Sequence, residues 1–222
     1  MTAFRAILAK DLRVELRTLE SVPAMALFAV TTFVLFRFGL DRTSLAGSLA
    51  AGVLLATLLF AAIIAVNRLF VAEVADGGLD AIRLAPVDAT ALWAAKAVAL
   101  VVYLGALELI AVPIFAAFFL DTWSGVAPFV GVLALADVGL SAIGALVSSL
   151  AVSSRARDLV GPLVLLPLLI PLMIASAKAA EPLLGAGGPS YDGLAKWLVV
   201  LALYDLTFAA VGYAVFDFVV ED

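Results

Sequence analysis

The chain has no cysteine and no histidine. Without cysteine there is no disulfide and no thiolate metal site. Without histidine the usual imidazole base, metal ligand and haem axial ligand are missing. Neither a Ser/His/Asp nor a Cys/His arrangement can be assembled. Charge is also scarce, at 14% of 222 residues, where an ordinary soluble domain carries about a quarter. No G-x-x-x-x-G-K-[ST] loop occurs, which excludes the usual way of gripping ATP. The paired carboxylates of glycosidases have no counterpart in a water-facing region. A net charge of −5 without clustered basic residues argues against nucleic acid as a partner.

What the chain has in abundance is apolar surface. Hydrophobic residues make up 65% of it, and its mean hydropathy is +1.20. A water-soluble chain of this size could not hide so much, so lipid must be the solvent for most of it. Runs of spanning length lie at Val22–Leu40, Leu45–Val66, Ala97–Leu120, Val126–Val152, Leu159–Ala177 and Leu194–Phe216. Period-two alternation is absent, which argues against a β-barrel. The fold class expected is an all-α membrane protein with six transmembrane helices, residues 1–222 forming one domain of packed helices. The first apolar stretch is expected to be a retained span, because twenty mostly polar or amphipathic residues precede it and no cleavage pattern follows.

Residues 1–20 stand apart. Phe4, Leu8, Leu12 and Leu16 recur every four residues, joined by Ile7 and Leu19, while Lys10, Arg13 and Arg17 mark another face. This spacing predicts a basic amphipathic helix at the membrane interface, the alternative being a plain extension of the first span. Orientation follows from basic residues. With the amino end in the cytoplasm, Arg5, Lys10, Arg13, Arg17, Arg68, Arg83, Lys96, Arg155 and Arg157 fall inside. Only Arg37, Arg42, Lys178 and Lys196 fall outside. Six spans then return the carboxyl end to the cytoplasm.

Three features are candidates for function. The charged segment 67–96 follows the second span and contains Arg68, Phe70, Glu73, Asp76, Gly77, Leu79 and Pro86. Its spacing predicts two short amphipathic helices, broken at Gly77-Gly78 and ended at Pro86. Such a loop suits docking of a soluble partner; it could equally lie on lipid headgroups. Glu108, Asp137 and Asp205 fall near the middle of spans, where charge is costly and faces the bundle interior or a water-filled cavity. They read as a polar pathway or a proton relay, or as structural hydrogen bonds between helices. Pro162, Pro167 and Pro171 crowd the fifth span and read as a hinge or cavity wall, or as a static bend.

These residues together resemble a known family. Lys10-Asp11-Leu12-Arg13-Val14-Glu15-Leu16-Arg17 looks like its opening helix. Arg68-Leu69-Phe70 through Glu73, Asp76-Gly77, Leu79-Asp80, Leu84 and Pro86 looks like its signature cytoplasmic segment. Ser154-Arg155-Ala156-Arg157-Asp158 and Leu166-Pro167-Leu168-Leu169-Ile170-Pro171-Leu172 are similar to its second turn and fifth span. The family is that of the membrane permease of the cytochrome c maturation transporter, long called a haem exporter, of the type-2 ATP-binding-cassette exporter class. The resemblance covers nearly the whole chain, but the loop Leu183–Asp192 and the acids Asp137 and Asp205 match no family motif.

The resemblance implies two permease chains on two ATPase subunits in a bacterial inner membrane, with both termini cytoplasmic. It implies a coupling helix within Arg68–Pro86, where Arg68, Glu73 and Asp76 make polar contacts and Phe70 and Leu79 anchor it. It further implies a haem-handling membrane subunit and a haem chaperone as partners, ATP bound by the ATPase, and haem held by partner proteins. The permease itself would not be an enzyme and would bind no cofactor directly. The absence of histidine agrees with haem being held elsewhere, although Met or Tyr ligation remains open. Three other readings stand beside it: a type-2 exporter permease for lipid, drug or polysaccharide, a secondary transporter using a mid-span acid, and a structural membrane adaptor.

Overall fold

The structure is a computed structural model and describes residues 3–39, 44–70, 89–120, 125–152 and 157–221. Among the described residues there are seven α-helices and no strands. They are α1 (Ala3–Thr18), α2 (Ser21–Gly39), α3 (Gly47–Arg68), α4 (Ala89–Phe119), α5 (Val126–Val152), α6 (Arg157–Ala180) and α7 (Leu194–Glu221). All but α1 are long and apolar enough to cross a membrane. The chain is therefore an all-α membrane protein, as its hydropathy predicts. The α5 bounds coincide with the predicted run. Helix α4 begins at Ala89 rather than Ala97, and the two helices predicted between Arg68 and Pro86 lie outside the described residues.

Helix α5 is the hub, packing on α4, α6, α7 and α3. Of its most apolar stretch 72% is buried, against 17% in α2 and α7, which form the rim. Small residues explain the close approach, since spans associate by packing rather than by a hydrophobic drive between them. A Cβ on Gly144 would stand 2.9 Å from Val66 Cγ2 on α3 and 3.0 Å from Leu100 Cδ2 on α4. One on Gly139 would collide with the Asp205 carboxylate of α7 and stand 2.8 Å from Leu172 Cδ1 of α6. Trp93 of α4 seats its ring against Gly212 of α7 and donates its indole N–H to the Ala142 carbonyl at 3.2 Å.

At one end of the bundle an aromatic cluster joins α2 to α4. Phe33 lies 5.3 Å from Phe115 edge-on, and Phe115 lies 5.0 Å from Phe119. The Leu45 N–H donates to the Phe119 carbonyl at 2.8 Å, closing one of the orphan acceptors at the end of α4. A 3-10 turn, Glu181–Leu184, follows α6 at this end and buries Leu183 and Leu184. The other end carries α1.

Proline does not break the spans. Pro113 sits inside α4, and α6 runs through Pro162, Pro167 and Pro171 as one helix. A neighbour also holds a carbonyl of this helix: the Tyr204 hydroxyl of α7 donates to the Leu168 carbonyl, in the turn before Pro171.

Candidate functional site

Helix α1 is docked on the bundle, chiefly against α4. A helical repeat puts Phe4, Leu8, Asp11 and Glu15 on one stripe, and that stripe faces inward: Asp11 and Glu15 are buried and Leu8 packs on the core. Leu16 and Leu19, predicted with the same apolar face, stay exposed. Each buried acid has a defined task. Glu15 Oε1 accepts from Ser21 N at 2.9 Å and Val22 N at 2.8 Å, capping the first turn of α2. Leu19 makes the corner possible by adopting φ +50°, the left-handed conformation common just beyond a helix end.

Asp11 makes the second attachment. Its Oδ2 lies 3.0 Å from Lys96 Nζ of α4, its Oδ1 lies 3.2 Å from Lys10 Nζ, and its carbonyl accepts from the Tyr103 hydroxyl at 3.2 Å. Lys96 is only 1% exposed. Its ammonium also donates to the Leu69 carbonyl at 2.9 Å and stands 5.0 Å from the centre of the Phe70 ring. Leu69 and Phe70 are the last described residues before the segment 71–88, and α4 begins the chain after it. One lysine thus ties α1, the exit of α3 and the entry of α4 into a single joint. Ser148 of α5 extends it, donating to the Val66 carbonyl at 2.8 Å. Arg68 stands outside, half exposed, with Nη1 3.4 Å from Glu20 Oε2.

Deeper in the bundle, Glu108 of α4 and Asp137 of α5 line one cavity of about 20 Å³, walled otherwise by Leu, Ala and Met173. Asp205 is separate. It faces Gly139 on α5, and its Oδ1 is buried without a hydrogen-bond partner among the described residues. Between α3 and α6 an apolar groove of about 450 Å³ is lined by Leu55, Leu59, Leu166, Ile170, Met173 and Ile174, among others, rather than by the prolines of α6.

The family model described as CcmB protein matches residues 2–218. The chain belongs to the CcmB family. It is 28% identical over 218 residues to a protein named heme exporter protein B from Rhodobacter capsulatus, covering 96% of this chain and 94% of the relative. A protein of the same name from Bradyrhizobium diazoefficiens is 29% identical over 208 residues, covering 93% of each chain. Another, from Paracoccus denitrificans, is 28% identical over 207 residues, covering 92% of this chain and 94% of the relative.

In this CcmB-family chain the structure brings together only some of the residues singled out from sequence. Phe70 is buried in the Lys96 joint, while Arg68 lies at its edge. Glu73, Asp76, Gly77, Leu79 and Pro86 lie outside the described residues. Glu108 and Asp137 share a cavity, but Asp205 does not join them. Sequence reading missed the roles of Asp11, Glu15 and Lys96. A signal existed: two acids four residues apart on a helix whose other charges are all basic.

Proposed function

We propose that this chain is the membrane permease subunit of an ATP-binding-cassette transporter serving c-type cytochrome biogenesis. It couples ATP hydrolysis by a partner subunit to haem export or to release of a haem-loaded chaperone. The names of its relatives support haem as the cargo. The chain acts as part of an assembly: a second permease copy, two ATPase subunits, a haem-handling membrane subunit and the chaperone, in a bacterial inner membrane with both termini cytoplasmic. ATP is bound by the ATPase, haem is held by partners, and the permease contributes motion rather than catalysis.

The observation that carries the coupling reading is the Lys96 joint. The segment between α3 and α4 is rooted where Lys96 holds Asp11, the Leu69 carbonyl and the Phe70 ring together. A push on this segment, delivered by ATPase closure through Glu73, Asp76, Gly77, Leu79 and Pro86, reaches α1, α3 and α4 at once. Packed helices respond to such a push as rigid bodies. Pro167 and Pro171 then lie in the helix beside the apolar groove, where α6 can bend.

The groove also fits a runner-up reading, a type-2 exporter permease for lipid or drug. Genetics separates the two. Deleting the gene should leave c-type cytochromes without covalent haem, and the wild-type chain should restore them while Glu73→Lys and Asp76→Lys chains should not. Fully haem-loaded cytochromes in the deletion strain would remove the haem reading.

A further inference from the structure

We propose that Glu108 and Asp137 form a proton-binding site in the membrane interior, holding at least one proton between them across a single water in the cavity they share. This site stands whether or not haem is the cargo.

The argument begins with what surrounds the two acids. Four helices wall the cavity. From α3 come Leu55, Leu58, Leu59 and Ala62; α4 adds Leu104 and Leu107 to Glu108; α5 adds Leu133, Ala136 and Leu140 to Asp137; α6 gives Met173. Among the described residues no cation and no other titratable group lines the cavity from any of these elements. Asp137 is 8% exposed, and among the described residues no hydrogen bond or ion pair holds it. It is an unpartnered polar group aimed into an apolar chamber.

A bare carboxylate there is costly, and two that face one another add repulsion. The remedies are a cation or a proton. A calcium or magnesium ion needs six or so oxygen ligands, and zinc needs four ligands. Two carboxyls among leucines do not supply them, and among the described residues no group of three or more metal-ligating side chains exists. A proton needs only an oxygen. The volume of about 20 Å³ exceeds the roughly 10–15 Å³ one water requires, and two carboxyls give that water enough partners.

The cavity adjoins a larger groove. Leu55, Leu59 and Met173 line both this cavity and the larger groove between α3 and α6. Met173 is unbranched and flexible, so its rotamers control whether the acids meet the groove.

The test is infrared spectroscopy of the full chain in lipid vesicles at neutral pH, in H2O and D2O. Wild type should give a protonated-carboxyl band that shifts in D2O. That band should be lost, in part, from both the Glu108→Gln/Asp137→Asn and the Glu108→Leu/Asp137→Leu variants; Asp205 is present throughout and cancels in the difference. The leucine variant should fold at least as well as wild type, because two apolar side chains replace two carboxyls in a cavity otherwise lined by Leu, Ala and Met. If the amide variant does not fold, the leucine variant supplies the difference. The proposal is overturned if wild type lacks the band, if both variants keep it at full strength, or if the leucine variant cannot fold.

Discussion

Lys96 Nζ and Asp11 Oδ2 lie 3.0 Å apart, nearly shut off from solvent, and so fasten the first helix of the chain to the opening turns of α4. Buried ion pairs are poor sources of net stability, because taking two charges out of water offsets most of their attraction. Their effect is positional. Here the position fixed is the root of the segment 71–88.

Removing Asp11 takes this counter-charge from the buried Lys96 ammonium, whereas removing Lys96 leaves Asp11 with Lys10 at 3.2 Å. Asp11→Leu should therefore destabilise the folded chain by about 3–5 kcal/mol, and Lys96→Met by less, because Lys10 still faces Asp11. The double variant should recover much of that loss, since two apolar groups then replace two charges. Thermal unfolding of all four chains in one detergent gives the coupling directly. Equal and additive losses would mean the pair does not act as a unit.

Glu15→Ala should expose the Ser21 and Val22 amides that its carboxylate accepts from. Losing a cap costs roughly 0.5–2 kcal/mol, and hydrogen exchange at those two amides should accelerate before any change elsewhere. Glu15→Gln keeps an acceptor and should show a smaller effect. The half-exposed Arg68–Glu20 pair offers a contrast: Glu20→Gln should change stability by less than about 1 kcal/mol.

Gly139→Val should force α7 off α5, because the first added carbon already collides with Asp205 and crowds Leu172. Cysteine pairs placed across α5 and α7 should cross-link less efficiently in that variant. Gly52 is the control. A Cβ there meets nothing within 4 Å, so Gly52→Ala should leave the same cross-links and the folded yield unchanged.

Hydropathy alone located every span because each is a continuous apolar run with polar ends, and α5 matched to the residue. It began α4 too late. Lys96 looked like the polar border of a span, yet the helix continues back to Ala89 with Leu92 and Trp93 buried. What makes the lysine tolerable is Asp11, far away in the chain, and no local pattern reveals such a pairing. The three mid-span acids were legible by depth, but their grouping was not. Glu108 and Asp137 come to line one cavity because α4 and α5 pack together, and Asp205 lies apart, against Gly139. The prolines of α6 were legible as perturbations of a helix. The bond that α6 accepts from a tyrosine of α7 is one that sequence spacing cannot show.

The central claim is that the stretch after α3 receives force from an ATP-hydrolysing partner. The native chain contains no cysteine, so an Asp76→Cys chain carries a single thiol. In membranes holding the whole assembly, that thiol should react with an impermeant maleimide only from the cytoplasmic face and should cross-link to the ATPase subunit. Labelling from the opposite face, or failure of every single cysteine across 71–88 to cross-link to an ATPase, would contradict the account.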